Sequence, residues 1–267
     1  MIKLEKDLSA VPKSLIPAFE DLFPKHKVPT ISRTTHEKRM AVINEGKYNN
    51  TTSLNSRYKL NDVRDALIEI YKGKCAFCEQ EVEQYHIDHY RPKATYYWLA
   101  FSWDNLILLC PKCNENKGDF FELEGSMVTF DNTEPNLRNI NTSSEGYDVI
   151  ELPKMVNPEV TDPLGKITFQ DNGLIESADL RFVHTIEKCK INRKELNDKR
   201  RTLLNIFREH ITVALVENLN IEDQKIAIRT IIRSFRIDSD NSKLDFLAFR
   251  KYAISAGWLN SITKELA

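Results

Sequence analysis

The sharpest hydrophobic period in the first third of the chain lies over residues 61–72. Val63, Ala66, Leu67, Ile70 and Tyr71 recur at i, i+3 and i+4, which gathers them on one face of an amphipathic helix. Asn61 fits as its N-cap and Gly73 as its stop. Residues 1–60 show no such period. Pro12, Pro17, Pro24 and Pro29 punctuate them; residues 17–23 read as one short helix and 49–56 as a polar loop. Further on, residues 82–89 and 105–109 read as short strands, and a helix is predicted to start near Pro111. Lys166-Ile-Thr-Phe-Gln, then Asp171-Asn-Gly, then Leu174-Ile-Glu-Ser predicts a β-hairpin. From about residue 180 the period is helical. Leu196, Leu203, Leu204, Phe207, Ile211, Ala214, Leu215 and Leu219 trace one apolar stripe; Ile228, Ile231, Ile232 and Phe235 trace a second. Residues 243–266 read as further helix, broken at Gly257.

These patterns predict an α+β chain in four parts. They are an irregular N-terminal segment (1–60), a small core (61–124), a mixed segment with a hairpin (125–178) and a mainly helical C-terminal region (179–267). With 267 residues the chain is long enough for one large domain or two small ones. Its 41% hydrophobic and 29% charged residues fit a packed protein rather than a disordered one. No apolar run approaches the roughly 20 residues that span a bilayer. Met1-Ile-Lys-Leu-Glu-Lys lacks the apolar core of a signal peptide. A cytoplasmic protein with no membrane partner is therefore expected.

Net charge is −1, which does not by itself point to nucleic acid. The charge is segregated, however: +5 over residues 1–60, −9 over 115–176 and +6 over 181–208. Phosphate contacts depend on local positive charge, so the basic segments keep a nucleic-acid partner open; each is equally readable as a solvated helix face.

Four of the five cysteines stand in two Cys-x-x-Cys pairs, Cys75/Cys78 and Cys110/Cys113. In a reducing compartment this spacing favours a metal over disulfides. Four thiolates close a tetrahedral shell around Zn²⁺ and leave no open position, so that zinc would be structural. The 31 residues between Cys78 and Cys110 exceed a simple ribbon loop and must form a structure of their own. Cys189 reads as a buried small hydrophobe.

The insert carries the reactive residue types. Asp88 is a hard oxygen ligand suited to Mg²⁺ or Mn²⁺, and His89 is a side chain fit for general-base work near neutral pH. As neighbours on a strand they point to opposite faces, so both serve one site only if the strand ends there; Pro92 supplies an ending. The helix after Cys113 then brings Asn114 to the same place. His86 shares the Asp88 face, as a ligand, a phosphate contact or a packing residue. Arg91, Lys93, Lys112 and Lys117 are candidate phosphate contacts or solvated surface. The aromatic run Tyr96, Tyr97, Trp98, Phe101 and Trp103 reads as base-stacking surface or as a loop packed onto the core.

Asp88-His89, Asn105 and Cys110-Pro-Lys-Cys113-Asn114-Glu-Asn-Lys117-Gly118 together resemble the HNH endonuclease superfamily. The resemblance implies a ββα-metal core. It implies that His89 is the general base, that Asp88 and Asn114 hold a catalytic divalent ion, and that Asn105 braces the intervening loop. The last letter of the family name is often histidine; Asn114 stands there in this chain.

More widely, the Pro-punctuated start, Asp162-Pro-Leu-Gly-Lys-Ile-Thr-Phe, Asp171-Asn-Gly and Lys190-Ile-Asn-Arg-Lys-Glu-Leu resemble the PtuB-like HNH subunits of Septu-type antiphage systems, also met in retron operons. That implies a partner ATPase of the ABC class and a role in cutting nucleic acid during phage infection; the HNH reaction itself is expected on DNA, with RNA as the alternative substrate. Two other readings stay open. One is an HNH enzyme of restriction or mobile-element nicking. The other is a non-catalytic zinc-ribbon protein that binds nucleic acid or a partner.

Overall fold

The computed structural model describes residues 1–218 and 220–266. Leu219, assigned above to an apolar stripe, lies outside the described residues.

Residues 1–60 are less irregular than their sequence implies. A 16-residue helix, α1, spans Thr30–Glu45. It begins after Pro29 in extended backbone and stops at left-handed Gly46 (φ 70°), whose N–H reaches the Val42 and Ile43 carbonyls. Its buried side chains are Ser32, Thr35, Arg39, Val42 and Ile43. That mixed, largely polar stripe shows no hydrophobic period, which hides the helix from pattern reading. Arg39 is held inside by donating from Nη2 to the carbonyls of Leu15 (2.7 Å) and Phe101 (3.0 Å). Residues 17–23, expected to be helical, form only a 3-10 turn at Glu20–Leu22. A short helix α2 (Thr52–Asn55) follows.

Helix α3 (Asn61–Tyr71) buries Val63, Leu67 and Tyr71, as its periodicity predicts. The cap differs. Leu60, not Asn61, stands at the N-cap without a side-chain hydrogen bond, and left-handed Lys72 and Gly73 end the helix.

The centre is a two-stranded antiparallel hairpin, β1 (His86–His89) with β2 (Leu106–Leu109), followed by α4 (Pro111–Lys117). The register pairs His86 with Leu109 and His89 with Leu106. The first strand is shorter than expected: residues 82–85 are outside it. All four residues of β2 are buried, so this strand is the floor of the core. Cys110 is the N-cap of α4 and Pro111 its first residue, where a missing N–H costs nothing.

The aromatic run is mostly packing. Trp103 and Phe101 join the main core, while Tyr96, Trp98 and Leu99 pack with Ile43, Leu137 and Ile140 in a second cluster.

Around the centre lie α5 (Glu134–Arg138), α6 (Asp148–Glu151) and the hairpin β3 (Ile167–Phe169) with β4 (Ile175–Ser177). Helices α7 (Leu180–Lys188), α8 (Lys194–Glu217), α9 (Ile221–Asp240), α10 (Leu247–Ser255) and α11 (Trp258–Leu266) complete the chain. Gly257, at φ 74°, separates the last two, as its position in the sequence predicted. The fold is α+β. Among the described residues, no helix is long and apolar enough to cross a membrane.

Candidate active site and thiolate cluster

The two Cys-x-x-Cys pairs arrive as two knuckles. In the first, the Glu79 N–H returns to the Cys75 carbonyl (3.0 Å) with Glu79 in left-handed backbone, and Ala76 N–H bonds the Leu108 carbonyl of β2. In the second, the Cys113 N–H donates to Cys110 Sγ at 3.3 Å across the first turn of α4. All four cysteines are buried, and their sulfurs lie within 4.8 Å of one another. Buried thiols packed this closely have unequal proton affinities: hydrogen bonds from Cys113, Cys75 and Cys78 pull Cys110 down, while burial pushes Cys75 up. A soft divalent cation resolves that conflict by letting all four ionise, and a set of four sulfurs fits such a metal.

Strand β1 alternates in burial: Ile87 and His89 face the core, His86 and Asp88 the open side. His89 is 2% exposed. Its Nε2 lies 2.9 Å from the Ala100 carbonyl oxygen. A carbonyl only accepts, so Nε2 carries the proton and Nδ1 keeps a lone pair. Burial lowers the His89 pKa to about 4 against the opposing pull of Asp88, so the ring is neutral at pH 7. The Tyr58 ring meets it edge-on at 4.6 Å.

The strand ends at His89, and Asn105 shapes the loop beyond it. Its Oδ1 accepts from Arg91 N–H (2.8 Å), and its Nδ2 donates to the carbonyls of Arg91 (3.0 Å) and Leu99 (3.3 Å). Its own carbonyl accepts from Tyr90 N–H (2.8 Å). One buried amide thus ties both ends of the loop that carries Ala100.

On the open side, Asn114 reaches across from α4 and its Nδ2 lies 2.9 Å from His86 Nδ1. Asp88 Oδ2 is 3.0 Å from the buried Lys117 Nζ, yet it has no aligned hydrogen bond. A carboxylate whose one oxygen is paired with a buried ammonium, lining a cleft together with the side chains of Asn114 and His86, offers a donor set that fits a hard divalent cation. These three residues line a cleft of about 460 Å³.

The sequence-predicted phosphate contacts divide. Arg91 is 1% exposed and turned inward, paired with Glu151 (2.8 Å) and Asp148 of α6. Four rings surround its guanidinium, those of Tyr90, Tyr96, Phe121 and Tyr147. It is not brought to the cleft, because its charge is already matched by buried Glu151 and partly exposed Asp148. Lys117 is buried against Asp88, and Lys112 is exposed and paired with Glu115. Lys93 does line the cleft. It is half-buried, with its Nζ about 5.5 Å from the Tyr58 ring, and among the described residues it has no carboxylate within ion-pair distance.

Tyr58, Lys59, Arg64 and Tyr85 also line the cleft, and sequence reasoning missed them. The one available signal was the Arg57-Tyr58-Lys59 alternation of basic and aromatic residues just before α3. Nothing in it indicated which side of the helix faces β1.

Residues 75–120 match the family model described as HNH endonuclease. The match covers both knuckles, β1, the Asn105 loop, β2 and α4. The Septu protein PtuB of Bacillus mycoides (strain KBAB4) is 30% identical over 162 residues, covering 54% of this chain and 51% of that protein. This is an HNH- and PtuB-like chain. A second relative, the Septu protein PtuB of Bacillus thuringiensis, is 29% identical over 93 residues, 33% of this chain and 36% of that protein. The chain therefore spans about half the length of the first of these relatives and about a third of the second.

Proposed function

We propose that the chain is a metal-dependent HNH endonuclease that hydrolyses nucleic-acid phosphodiester bonds, DNA foremost. We assign it as the nuclease subunit of an antiphage defence complex with an ABC-class ATPase. One observation carries the catalytic reading: His89, neutral and fixed in one tautomer by Ala100, ends the short strand next to Asp88, and Asp88 shares an open cleft with Asn114. The resemblance to the Septu PtuB proteins supports the defence role and the ATPase partner.

Asp88 and Asn114 are the residues that would hold the catalytic ion, Mg²⁺ or Mn²⁺, with His86 beside them. When bound there, such an ion would supply Lewis-acid charge to the scissile phosphate and the leaving oxygen. The chain's own residues do the rest. His89 takes a proton from the attacking water at Nδ1, while the Ala100 carbonyl holds Nε2–H and keeps the ring from turning. Asn105 keeps that carbonyl in place. Lys93 and Lys59 seat the flanking phosphates along the cleft wall. The four cysteines would hold a Zn²⁺ whose role is structural.

The test is cleavage of plasmid DNA and of RNA with added Mg²⁺ or Mn²⁺, with and without a co-purified ATPase, comparing wild type with His89→Ala. Loss of cleavage with retained zinc and folding is the expected result. Undiminished cleavage by the variant overturns the assignment.

A further inference from the structure

The corner between α7 and α8 lies against the thiolate cluster, and one side chain from it points at the sulfurs. Arg193 Nη1 is 3.5 Å from Cys113 Sγ, and its Nη2 is 3.7 Å from Cys110 Sγ and 3.9 Å from Cys78 Sγ. Among the described residues its one further side-chain hydrogen bond runs from Nη1 to the Lys190 carbonyl (3.3 Å). Among the described residues Arg193 meets no carboxylate. The corner is tightly made: Lys190 is left-handed at φ 46°, Arg193 N–H bonds the Lys190 carbonyl, and Cys189 and Ile191 are fully buried.

Charge explains why a guanidinium belongs there. Four thiolates around one divalent cation leave a net charge of −2 in a buried site, and such a charge is costly unless matched. Arginine offers several N–H donors in one plane and sheds water more easily than lysine, so a single residue can serve three sulfurs at once. Hydrogen bonds to thiolates also orient them and tune the metal they hold.

We infer that Arg193 is an outer partner of the cysteine metal centre, balancing its charge and coupling metal occupancy to docking of the α7–α8 corner. The inference rests on the reading of the four cysteines as a metal site and is independent of nuclease activity. Because coupling is reciprocal, whatever affinity Arg193 lends the metal, the metal returns as stability of that corner. The side chain comes from 80 residues beyond Cys113, outside the block that matches the HNH family, so the centre is completed by the C-terminal region.

Chelator competition with Zn²⁺ on the full chain tests it, using wild type, Arg193→Gln, Arg193→Lys and, as control, Arg201→Gln on the exposed face of α8. Zinc affinity is expected to fall about 10- to 100-fold in Arg193→Gln, less in Arg193→Lys, and not at all in the control. Loaded with Co²⁺, Arg193→Gln should shift the sulfur-to-metal charge-transfer band to lower energy, because thiolates that lose hydrogen bonds give up electrons more easily. A purely structural role for Arg193 leaves that band unmoved. Wild type that binds neither ion refutes the metal reading and this inference with it. Wild type that binds, with Arg193→Gln matching it in affinity and spectrum, refutes this inference alone. Should Arg193→Gln not fold, the same comparison falls to Arg193→Lys, where an unchanged affinity and band overturn it.

Discussion

His89 Nε2 lies 2.9 Å from the carbonyl oxygen of Ala100, eleven residues further along the chain. That single contact decides which nitrogen of the ring is free to accept a proton. It also explains why a buried histidine can be useful: the protonated nitrogen is satisfied, and the reactive one is not spent on structure.

Replacing His89 with alanine should lower the rate of cleavage by about 10²- to 10⁴-fold, the usual contribution of a positioned general base. The pH profile should carry the same signature. Catalysis needs the neutral ring, and burial holds the His89 pKa near 4, so single-turnover rates should persist well below pH 6.5 and fall only on approach to pH 4. The same shift bears on folding. The unfolded chain binds this proton at an ordinary pKa near 6.5 and the folded chain does not, so stability from this group is complete above pH 6.5 and is lost as pH falls toward 4. Melts across that range on wild type and His89→Ala test it.

Lys93 should matter for binding more than for chemistry. Its half-buried ammonium lines the cleft with no carboxylate within ion-pair distance among the described residues, so Lys93→Ala should raise KM for nucleic acid and leave kcat nearly unchanged. The slope of log affinity against log salt should become shallower by about one unit. A drop in kcat with unaltered KM would place Lys93 elsewhere.

Glu151 is the buried counter-charge of Arg91, bonded to its Nε at 2.8 Å and also accepting from Val128 N–H. Glu151→Ala leaves a guanidinium buried with only the partly exposed Asp148 beside it. Removing one partner of a buried pair costs about 3–5 kcal/mol. A correspondingly lower denaturation midpoint is expected. Since Arg91 is bonded through its backbone to Asn105, cleavage should suffer as well.

Asp104, next to Asn105, shows the opposite titration. Burial raises its pKa to about 6, although Oδ2 accepts from Ser144 N–H at 2.7 Å. The folded chain therefore keeps this proton where the unfolded chain releases it. Its contribution to stability falls as pH rises from about 4 to 6 and stays low above that. Asp104→Asn should remove this opposing contribution, so that stability rises more steeply with pH across this window. An unchanged slope in denaturant titrations would refute the assignment.

The core of the site was legible because its signals are local. Cys-x-x-Cys spacing, an Asp-His pair and an Asn opening a helix each report on their neighbours, and β1, β2 and α4 fall close to where those signals place them. The amphipathic period of α3 and the Asp171-Asn-Gly turn were equally local. Helix α1 was not legible, because the face it buries is largely polar: Thr35 bonds the Ile31 carbonyl and Arg39 Nη2 the carbonyls of Leu15 and Phe101.

Sequence by itself determined the chemical inventory: four cysteines in two pairs, an acid, an amide and a histidine within one short block. Only the tertiary structure decided which charges are free to act. Arg91, Lys93 and Lys117 read alike along the chain. In the fold Arg91 is matched by Glu151 of α6 and Lys117 by Asp88, while Lys93 remains open to the cleft. Arg193 comes from far along the chain to meet the cysteines. A charge is defined by what it faces, and partners 29 to 115 residues apart are set by packing, which leaves no periodic trace in the sequence.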